Sequence, residues 1–279
     1  MGNAKSKGRR RDSASAYAAM EAPTTFSLAR VEGDPSAPSG RLLFLDGIEC
    51  SYVDLDDPTR LEFGYVRRLA DAIDLVVPAD APLRVTHLGG GGFTLPSYLA
   101  ATRPASRQIV YEYDDALVEL ARDQLGLRTS ARLRVKVGDA RARLSRRSPG
   151  SAEVVVGDAF EGRTVPHHLA TTEFIALVRR TLVPRGLYVL NVIDDPPLAF
   201  ARSEAATLLQ SFRHVVLTAD ADVLRGKASG NLVFAASDAT LPVAGLTRRA
   251  SHGMLPDRVL DRTGVAKFAG SAPPLHDAD

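Results

Sequence analysis

A run of glycines and a carboxylate about twenty residues further on are the residues best placed to bind a nucleotide. The glycines begin at Gly89, Gly90 and Gly91, directly after the apolar residues 83–88, and Glu112 ends the next apolar stretch. Glycines allow a backbone to approach a ligand closely, and an acid at the end of the second strand accepts hydrogen bonds from ribose hydroxyls. These four residues are therefore predicted to form a Rossmann-like nucleotide site.

Two further carboxylates follow the third and fourth apolar stretches. Asp139 comes just after residues 133–137, and Asp158 just after residues 153–156. The carboxyl ends of neighbouring strands in an open α/β sheet face one crevice, so Glu112, Asp139 and Asp158 are expected to converge there. In that arrangement Glu112 holds the ribose, Asp139 the adenine amino group, and Asp158 faces the transferred group. An acidic crevice attracts a cationic sulfonium, which favours an S-adenosylmethionine-type ligand.

Other interpretations of the same residues stay open. A dinucleotide loop needs a third glycine to pack its helix on the strand, and Thr94 stands at that position, so the signal for NAD is weak. Glu112 is alternatively an exposed strand-end acid. Asp139 is alternatively a helix N-cap, and Asp158 a residue that caps a turn.

Short apolar stretches alternate with helical patterns from residue 83 onward. Strands are predicted at residues 83–88, 108–112, 133–137, 153–156 and 187–192, and helices at 95–101, 115–125, 172–182 and 198–212. Such alternation favours a parallel sheet covered on both faces. Residues 214–218 and 231–236 leave no room for a crossover helix and are predicted to form an antiparallel hairpin at the sheet edge. The predicted fold is α/β, a Rossmann-like class I methyltransferase fold whose mostly parallel sheet has an antiparallel edge strand.

A small β unit precedes this sheet. Residues 26–32 alternate apolar and polar, and residues 41–46 and 48–53 flank the turn pair Asp46-Gly47. A helix with Thr59 as its N-cap is predicted next. The predicted organisation is a disordered basic tail over 1–22, a small N-terminal β domain over 23–57, a nucleotide-binding catalytic domain over 58–240 and a C-terminal extension over 241–279.

Composition and charge exclude several classes of protein. The formal net charge is +2 and the first eleven positions hold five Lys or Arg residues, so the rest of the chain is near neutral and no nucleic-acid partner is expected. The single cysteine, Cys50, fits a reducing cytoplasm. No apolar run is long enough to span a membrane. His167 and His168 have no third His or Cys at a suitable spacing, so no metal site is predicted.

Several short motifs together resemble the spermidine synthase family of polyamine aminopropyltransferases, and best its bacterial spermidine-synthase-like branch. The resemblance runs from about Leu42 to Ala236. It is carried by Leu45-Asp-Gly47, Phe63-Gly-Tyr65, Leu88-Gly-Gly-Gly-Gly92, Glu112-Tyr-Asp114, Gly138-Asp-Ala140, Asp158-Ala-Phe-Glu-Gly162, Pro166-His-His-Leu-Ala-Thr-Thr-Glu-Phe174, Leu182-Val-Pro-Arg-Gly-Leu187 and Asn191. It implies a small β domain before a Rossmann-like domain, decarboxylated S-adenosylmethionine or a relative as co-substrate, and a homodimer.

The resemblance also implies roles for individual residues. Glu112 matches the acid that binds ribose, and Asp139 with Ala140 matches the pair that binds adenine. Asp158 matches the base that deprotonates the attacking amine. Glu161 matches the second acid of that loop, which contacts the substrate. Tyr65 matches a tyrosine of the helix after the β domain, which lies at the catalytic site.

The chain departs from the family at the polyamine side of the site. The family has an aspartate where Gly92 stands, a glutamine near Cys50, and a Tyr-Gln-Glu run where this chain has Tyr65-Val66-Arg67. A diamine such as putrescine carries two positive charges and needs several carboxylates. The loss of these acids and the presence of Arg67 and Arg68 are predicted to weaken that slot.

Three functions follow from these residues. In the first, an amine attacks the methylene group beside the sulfonium, Asp158 accepts a proton and methylthioadenosine leaves. In the second, ordinary S-adenosylmethionine methylates an unknown acceptor, and alignment supplies most of the acceleration. In the third, the chain is a non-catalytic nucleotide-binding homologue. Gly92 counts against the first function and Asp158 against the third; the first two require a small-molecule substrate.

Overall fold

The computed structural model of the protein describes residues 19–78, 81–251 and 257–277, which form two sheets and the helices around them. The smaller sheet is antiparallel, and its four strands lie in chain order: β1 (Met20–Pro23), β2 (Leu28–Asp34), β3 (Ala37–Leu45) and β4 (Ile48–Asp54). Asp46 and Gly47 connect β3 to β4 and both have positive φ angles. This sheet confirms the predicted N-terminal β unit and its turn.

The larger sheet has eight strands in the order β12-β10-β11-β9-β8-β5-β6-β7. In chain order these are β5 (Arg84–Leu88), β6 (Arg107–Glu112), β7 (Leu133–Val137), β8 (Ala152–Gly157), β9 (Leu182–Asp194), β10 (His214–Asp220), β11 (Gly230–Ser237) and β12 (Asp257–Leu260). Strands β5 to β9 are parallel, and β11 is antiparallel to both β9 and β10. The predicted class I methyltransferase-like arrangement is confirmed.

Helices cover both faces of the larger sheet. They are α1 (Gly64–Val76), α2 (Thr94–Thr102), α3 (Asp115–Gln124), α4 (Ala140–Ser145), α5 (Thr172–Thr181), α6 (Ala199–Ser211), α7 (Ala221–Leu224), α8 (Val243–Ala250) and α9 (Arg262–Ala269). One apolar core lies between the sheet and α4, α5, α6 and α9, and a second lies between the opposite face and α1, α2 and α8. The two cores bury the sheet on both sides, as its continuous apolar strands require.

The smaller sheet packs on α3 and on the strands next to it. Ala29, Val31 and Leu43 of the small sheet share a core with Leu117 and Ala121 of α3. A polar contact joins the same two parts, because the Asp114 carboxylate caps α3 at Leu117 N and also accepts the backbone N–H of Thr25 and Phe26 from the β1–β2 turn. One side chain therefore fixes both the start of α3 and the position of the small sheet.

Two predictions near the N-terminus are wrong. Residues 20–22 were assigned to a disordered tail, but Met20–Pro23 pairs with β2 as β1; residues 1–18 of that tail lie outside the described residues. Thr59 does not cap the next helix, because α1 begins at Gly64 with Phe63 at its N-cap. The Asp57 carboxylate accepts both the backbone N–H and the hydroxyl of Thr59, so these residues form a separate turn before the helix.

The predicted antiparallel sheet edge is confirmed, but its outermost strand is not part of the predicted hairpin. Strands β10 and β11 pair as expected, but β12 adds to the outer side of β10, with Val259 opposite Thr218. The edge strand therefore comes from residues 241–279, which also supply α8 and α9. A four-residue strand with two charged residues at its start gives too short a pattern to distinguish it from a loop.

Helix α6 buries a carboxyl group in the larger core. Glu204 is 0% exposed, and neither of its carboxyl oxygens has a hydrogen-bond partner among the described residues. The nearby Tyr188 hydroxyl is likewise buried without a partner. Burial raises the pKa of Glu204 well above its usual range. The folded protein thus binds the proton of the Glu204 carboxyl group more tightly than the unfolded chain does. The free energy of unfolding therefore decreases as the pH rises above about 4.3, the pKa of a free glutamate.

We predict that Glu204→Met stabilises the protein in neutral and alkaline solution. Removing the unpartnered acid should raise the free energy of unfolding by about 1–3 kcal/mol at pH 8 and by less at pH 4.5. Urea denaturation across this pH range measures the effect. Glu119→Met, at an exposed position of α3, is the control and should change stability by about 0.5 kcal/mol or less at either pH. A Glu204→Met protein less stable than wild type at pH 8 would contradict the prediction.

Candidate functional site

The glycine turn after β5 is locked between the ends of two neighbouring strands. Gly89 N–H donates to the carbonyl of Tyr111 in β6 (2.8 Å), and Asp158 N–H donates to the carbonyl of Leu88 (2.9 Å). Gly89 has a φ of +94°, and a Cβ atom there would lie 2.2 Å from the carbonyl oxygen of Asp158. Only glycine fits this position. The turn therefore brings the carboxyl ends of β5, β6 and β8 to one crevice, as the sequence predicts.

Glu112 closes the glycine turn from the end of β6. One carboxylate oxygen accepts the N–H groups of Gly90 (2.7 Å) and Gly91 (3.3 Å), and the other accepts those of Tyr113 (2.7 Å) and Asp114 (3.0 Å). Only 9% of the residue is exposed. The interpretation of Glu112 as an ordinary exposed acid is wrong. The carboxylate organises the turn, and its contact with Gly91 N–H is the longest and the easiest to exchange for a ligand hydroxyl.

Asp158 stands at the end of β8 with its carboxylate in a largely buried position. The Asn191 side-chain amide donates to Asp158 Oδ1 (2.9 Å), and the Asn231 side-chain amide donates to Asn191 Oδ1 (3.0 Å). Burial raises the pKa of Asp158 to about 6, and the hydrogen bond from Asn191 opposes that rise. A carboxylate with this pKa is charged at pH 7 and is a competent proton acceptor.

The amide chain behind Asp158 continues to α1 and β12. Arg68 donates a hydrogen bond to the backbone carbonyl of Asn231 (3.1 Å). It also forms a bidentate ion pair with Asp257, in which both N–O distances are 2.7 Å. Arg67 is exposed and donates to the carbonyl of Glu62. The charge of Arg68 is thus paired with Asp257, and the same side chain holds the backbone of Asn231. The predicted effect of Arg67 and Arg68 on the polyamine slot stays a prediction.

Tyr65 approaches Asp158 from the side of the small sheet. Its hydroxyl donates to the carbonyl of Cys50 in β4 (3.1 Å). Burial, followed by the charge of Asp158, raises the pKa of Tyr65 well above its usual range, so the phenol stays protonated. The structure thus brings together the two residues predicted to be catalytic.

The other predicted residues are spread along the crevice. Asp139 does cap α4, because Oδ1 accepts Ala142 N–H (2.7 Å), while Oδ2 contacts Nε2 of His168 (2.8 Å). Ala140 is buried beside it. Glu161 lies on an exposed turn closed by backbone hydrogen bonds with Thr164. Asp139 acts as the N-cap of α4, and its adenine-binding role stays a prediction. The substrate-binding role of Glu161 also stays a prediction.

A small pocket with a cavity volume of about 20 Å³ lies beside Asp158 on the face covered by α1 and α2. Its lining residues are Ser51, Val66, His87, Gly89, Gly90, Thr94, Leu95, Pro96, Val156 and Asp158. Burial lowers the pKa of His87 to about 4, so the ring is neutral, and Nε2 pairs with Gln108 Oε1 (2.8 Å). The alternation of side chains along β5 could have identified His87 as a pocket residue, because it shares a face with Val85.

The space next to Gly92 is occupied by Ser51. Gly92 N–H donates to Ser51 Oγ (3.0 Å), and a Cβ atom on Gly92 would lie 2.5 Å from Ser51 Cβ. An acidic side chain at residue 92 therefore has no room unless β4 moves. The absence of the family's aspartate at residue 92 therefore agrees with the close packing of β4 against the glycine turn.

Between residues 19 and 277, outside the two internal gaps, no group of three His, Cys, Asp or Glu side chains is arranged to hold a metal ion. His167 Nε2 instead contacts the carbonyl of His276 (3.0 Å). Within the same described ranges, the helices are too short or too polar to cross a membrane.

Comparisons with known proteins agree with this fold and crevice. The chain is similar to the probable spermidine synthase of Corynebacterium glutamicum, with 33% identity and a TM-score of 0.87 over 93% of this chain and 96% of that one. It is 32% identical over 151 residues to the polyamine aminopropyltransferase of Vibrio vulnificus (strain CMCP6), a match that covers 53% of this chain and 49% of that protein. Human methyltransferase-like protein 13 shares the fold, with 17% identity and a TM-score of 0.51. No family model matches the chain.

The strand order and the helices around it are those of a class I methyltransferase-like fold. The identity to the Corynebacterium protein over nearly its whole length shows more, namely that the chain belongs to the spermidine synthase family. The resemblance seen in the motifs is thereby confirmed. The chain spans about half of the length of the curated relatives it matches.

We predict that Asn231 tunes Asp158 through Asn191. Asn231→Leu leaves the Asn191 amide without its anchor, so its hydrogen bond to Asp158 weakens and the pKa of Asp158 rises by up to about one unit. Nuclear magnetic resonance titration of the labelled aspartate carboxyl measures the shift, and Asn191→Leu should produce a shift at least as large. A lower melting temperature with an unchanged titration midpoint would show that Asn231 is merely structural.

Proposed function

We propose that this protein transfers the aminopropyl group of decarboxylated S-adenosylmethionine to an amine. Family membership supports the reaction class. The observation that carries the proposal is the position of Asp158, whose partly buried carboxylate lines a pocket beside the glycine turn. A carboxylate in that position both attracts an ammonium ion and accepts its proton.

The proposed reaction is a direct displacement. Asp158 takes a proton from the ammonium group of the acceptor, which leaves a neutral amine. The amine nitrogen attacks the methylene carbon bound to sulfur, so that a carbon–nitrogen bond forms while the carbon–sulfur bond breaks. The electron pair of the broken bond stays on sulfur, and neutral methylthioadenosine leaves. Tyr65, whose hydroxyl is fixed by Cys50, would hold the reacting groups in line.

The nucleoside half of the co-substrate is assigned to the opposite end of the crevice. Gly89, Gly90 and Gly91 would accommodate the sulfonium end, and Glu112 would accept the ribose hydroxyls. The pair Asp139-Ala140 would border the adenine, and Glu161 would contact the acceptor from its exposed turn. These roles rest on the crevice geometry and on the match to the family motifs.

Other features of the proposal rest on family membership and on sequence composition. We infer a homodimer in the cytoplasm that acts on small molecules without a nucleic-acid partner. The proposed organisation is a basic tail that ends before β1, a β domain from β1 to residue 57, a catalytic domain over 58–240 and an extension over 241–279. Size-exclusion chromatography with light scattering tests the dimer.

Methyl transfer from ordinary S-adenosylmethionine is the second candidate function. The observation that favours it is the contact of Ser51 with Gly92, which leaves no acid at residue 92 to hold the terminal amine of an aminopropyl group. Methyl transfer depends on alignment more than on a base. The product discriminates the candidates, because aminopropyl transfer releases methylthioadenosine and methyl transfer releases S-adenosylhomocysteine. Release of neither product with any acceptor would support a binding homologue.

Asp158→Asn tests the proposed base. The change keeps the size of the side chain and removes the charge, so methylthioadenosine release should fall by about 10²–10⁴-fold while methylthioadenosine still binds. Wild-type turnover should fall below pH 6, because the pKa of Asp158 is about 6 and the protonated acid accepts no proton. A pH–rate profile without an acid limb, or a loss smaller than tenfold in Asp158→Asn, would contradict the assignment.

Glu112→Gln tests the nucleoside site. The amide cannot accept four backbone N–H groups, so methylthioadenosine affinity should fall by about 1–3 kcal/mol, as measured by calorimetry. Because Glu112 also organises the glycine turn, the melting temperature is measured in parallel. Glu119→Gln, exposed on α3, is the matched control and should bind like wild type. Equal affinity in wild type and Glu112→Gln would show that the nucleoside lies elsewhere.

A further inference from the structure

We infer that residues 275–277, which follow α9, position Asp139 for the adenine, an inference that rests on the proposed nucleoside site. These residues (the strap) lie against the starts of α4 and α5. Thr172 N–H of α5 donates to the carbonyl of Leu275 (2.9 Å), and Leu275 N–H donates to the Thr207 hydroxyl of α6 (2.9 Å). The backbone of the strap is therefore fixed to two helices of the larger core.

Asp277 joins the strap to the first turn of α4. Its carboxylate forms a bidentate ion pair with Arg141, with N–O distances of 2.6 and 2.5 Å, and also accepts the Thr171 hydroxyl (2.6 Å). The hydrogen bonds from Arg141 and then Thr171 hold the pKa of Asp277 below its usual range. The pair is therefore charged on both sides at neutral pH.

This ion pair keeps a cation away from the proposed adenine site. Arg141 lies two residues after Asp139, and the charge of the Asp139 carboxylate reaches the guanidinium. The first turn of a helix disfavours a cation, so an arginine there needs an anionic partner. Asp277 supplies that partner. Without the charge of Asp277, the guanidinium would turn to Asp139 and withdraw the carboxylate from a ligand.

The same guanidinium holds the loop between β8 and α5. Arg141 donates to the backbone carbonyl of His168 (3.1 Å), and His168 Nε2 contacts Asp139 Oδ2 (2.8 Å). An ionised carboxylate only accepts hydrogen bonds, so His168 Nε2 is the donor. The other oxygen of Asp139 accepts Ala142 N–H (2.7 Å). Both oxygens are thus held in place, and each keeps a further lone pair for the adenine amino group.

Positioning of this kind affects the choice of base. Adenine presents an amino group, a hydrogen-bond donor, at position 6, whereas hypoxanthine presents a carbonyl oxygen, which a carboxylate repels. A correctly placed Asp139 should bind methylthioadenosine more tightly than methylthioinosine by about tenfold or more, the scale of one hydrogen bond to a charged group. Without the charge of Asp277 this preference should fall to about threefold or less.

The experiment measures both affinities by calorimetry at pH 8 in wild type, Asp277→Asn and Asp238→Asn. Asp238 is the matched control, because it also forms a half-exposed ion pair, with Arg179 (2.7 Å). Wild type and Asp238→Asn should keep the preference, and Asp277→Asn should lose it. Equal losses of affinity for both nucleosides in Asp277→Asn, with the preference kept, would show a merely structural strap and overturn the inference. No preference in wild type would instead overturn the adenine role of Asp139, and with it the proposed nucleoside site.

A pair of variants at His168 tests the contact with Asp139 while the strap stays intact. His168→Gln keeps a nitrogen donor at a similar reach, and His168→Leu removes it; the side chain is 49% exposed, so both variants should fold. The preference for methylthioadenosine should stay near the wild-type value in His168→Gln and fall to about threefold or less in His168→Leu. Equal preferences in the two variants would overturn the link between the strap and Asp139. This pair decides the question where Asp277→Asn does not fold.

Discussion

The close approach of Gly89 to the carbonyl of Asp158 is the constraint on which the site depends. It lets the ends of β5 and β8 touch, and any Cβ atom would force them apart. The contact fixes the backbone position of Asp158 at the end of β8. In the same way, the hydrogen bond from Gly89 N–H to the Tyr111 carbonyl fixes the backbone next to Glu112 at the end of β6. The positions of Glu112 and Asp158 relative to each other are therefore set by backbone contacts around Gly89.

The environment of Asp158 balances two opposing demands. A base needs a raised pKa, which burial supplies, but a buried carboxylate without a donor would stay protonated at neutral pH. Asn191 supplies one donor and no charge, and Asn231 orients it by occupying its carbonyl oxygen. The ion pair of Arg68 with Asp257 holds the backbone of Asn231 from outside the pocket. The charges of Arg68 and Asp257 thereby lie outside the pocket that Asp158 lines.

Local pattern predicted most of the sheet and the crevice, because buried parallel strands and strand-end acids leave clear signals. The bounds of β7 match the prediction, and Glu112, Asp158 and Gly89 meet as expected. Contacts between distant segments were not predictable. Asp257 reaches Arg68 across the sheet, and the strand that carries it is too short for any periodicity. The error at Thr59 arose because a turn and a helix start favour the same residue types.

The small sheet is part of the site rather than an appendage to it. Three consecutive residues of β4 contact the crevice: the Cys50 carbonyl accepts the Tyr65 hydroxyl, Ser51 Oγ accepts Gly92 N–H, and the Tyr52 carbonyl accepts the Thr94 hydroxyl. Because β4 thus touches α1, the glycine turn and α2 together, a shift of the small sheet would move all three walls of the pocket. The shape of the pocket beside Asp158 is therefore set by how the two sheets are joined, through Asp114 and the core around α3.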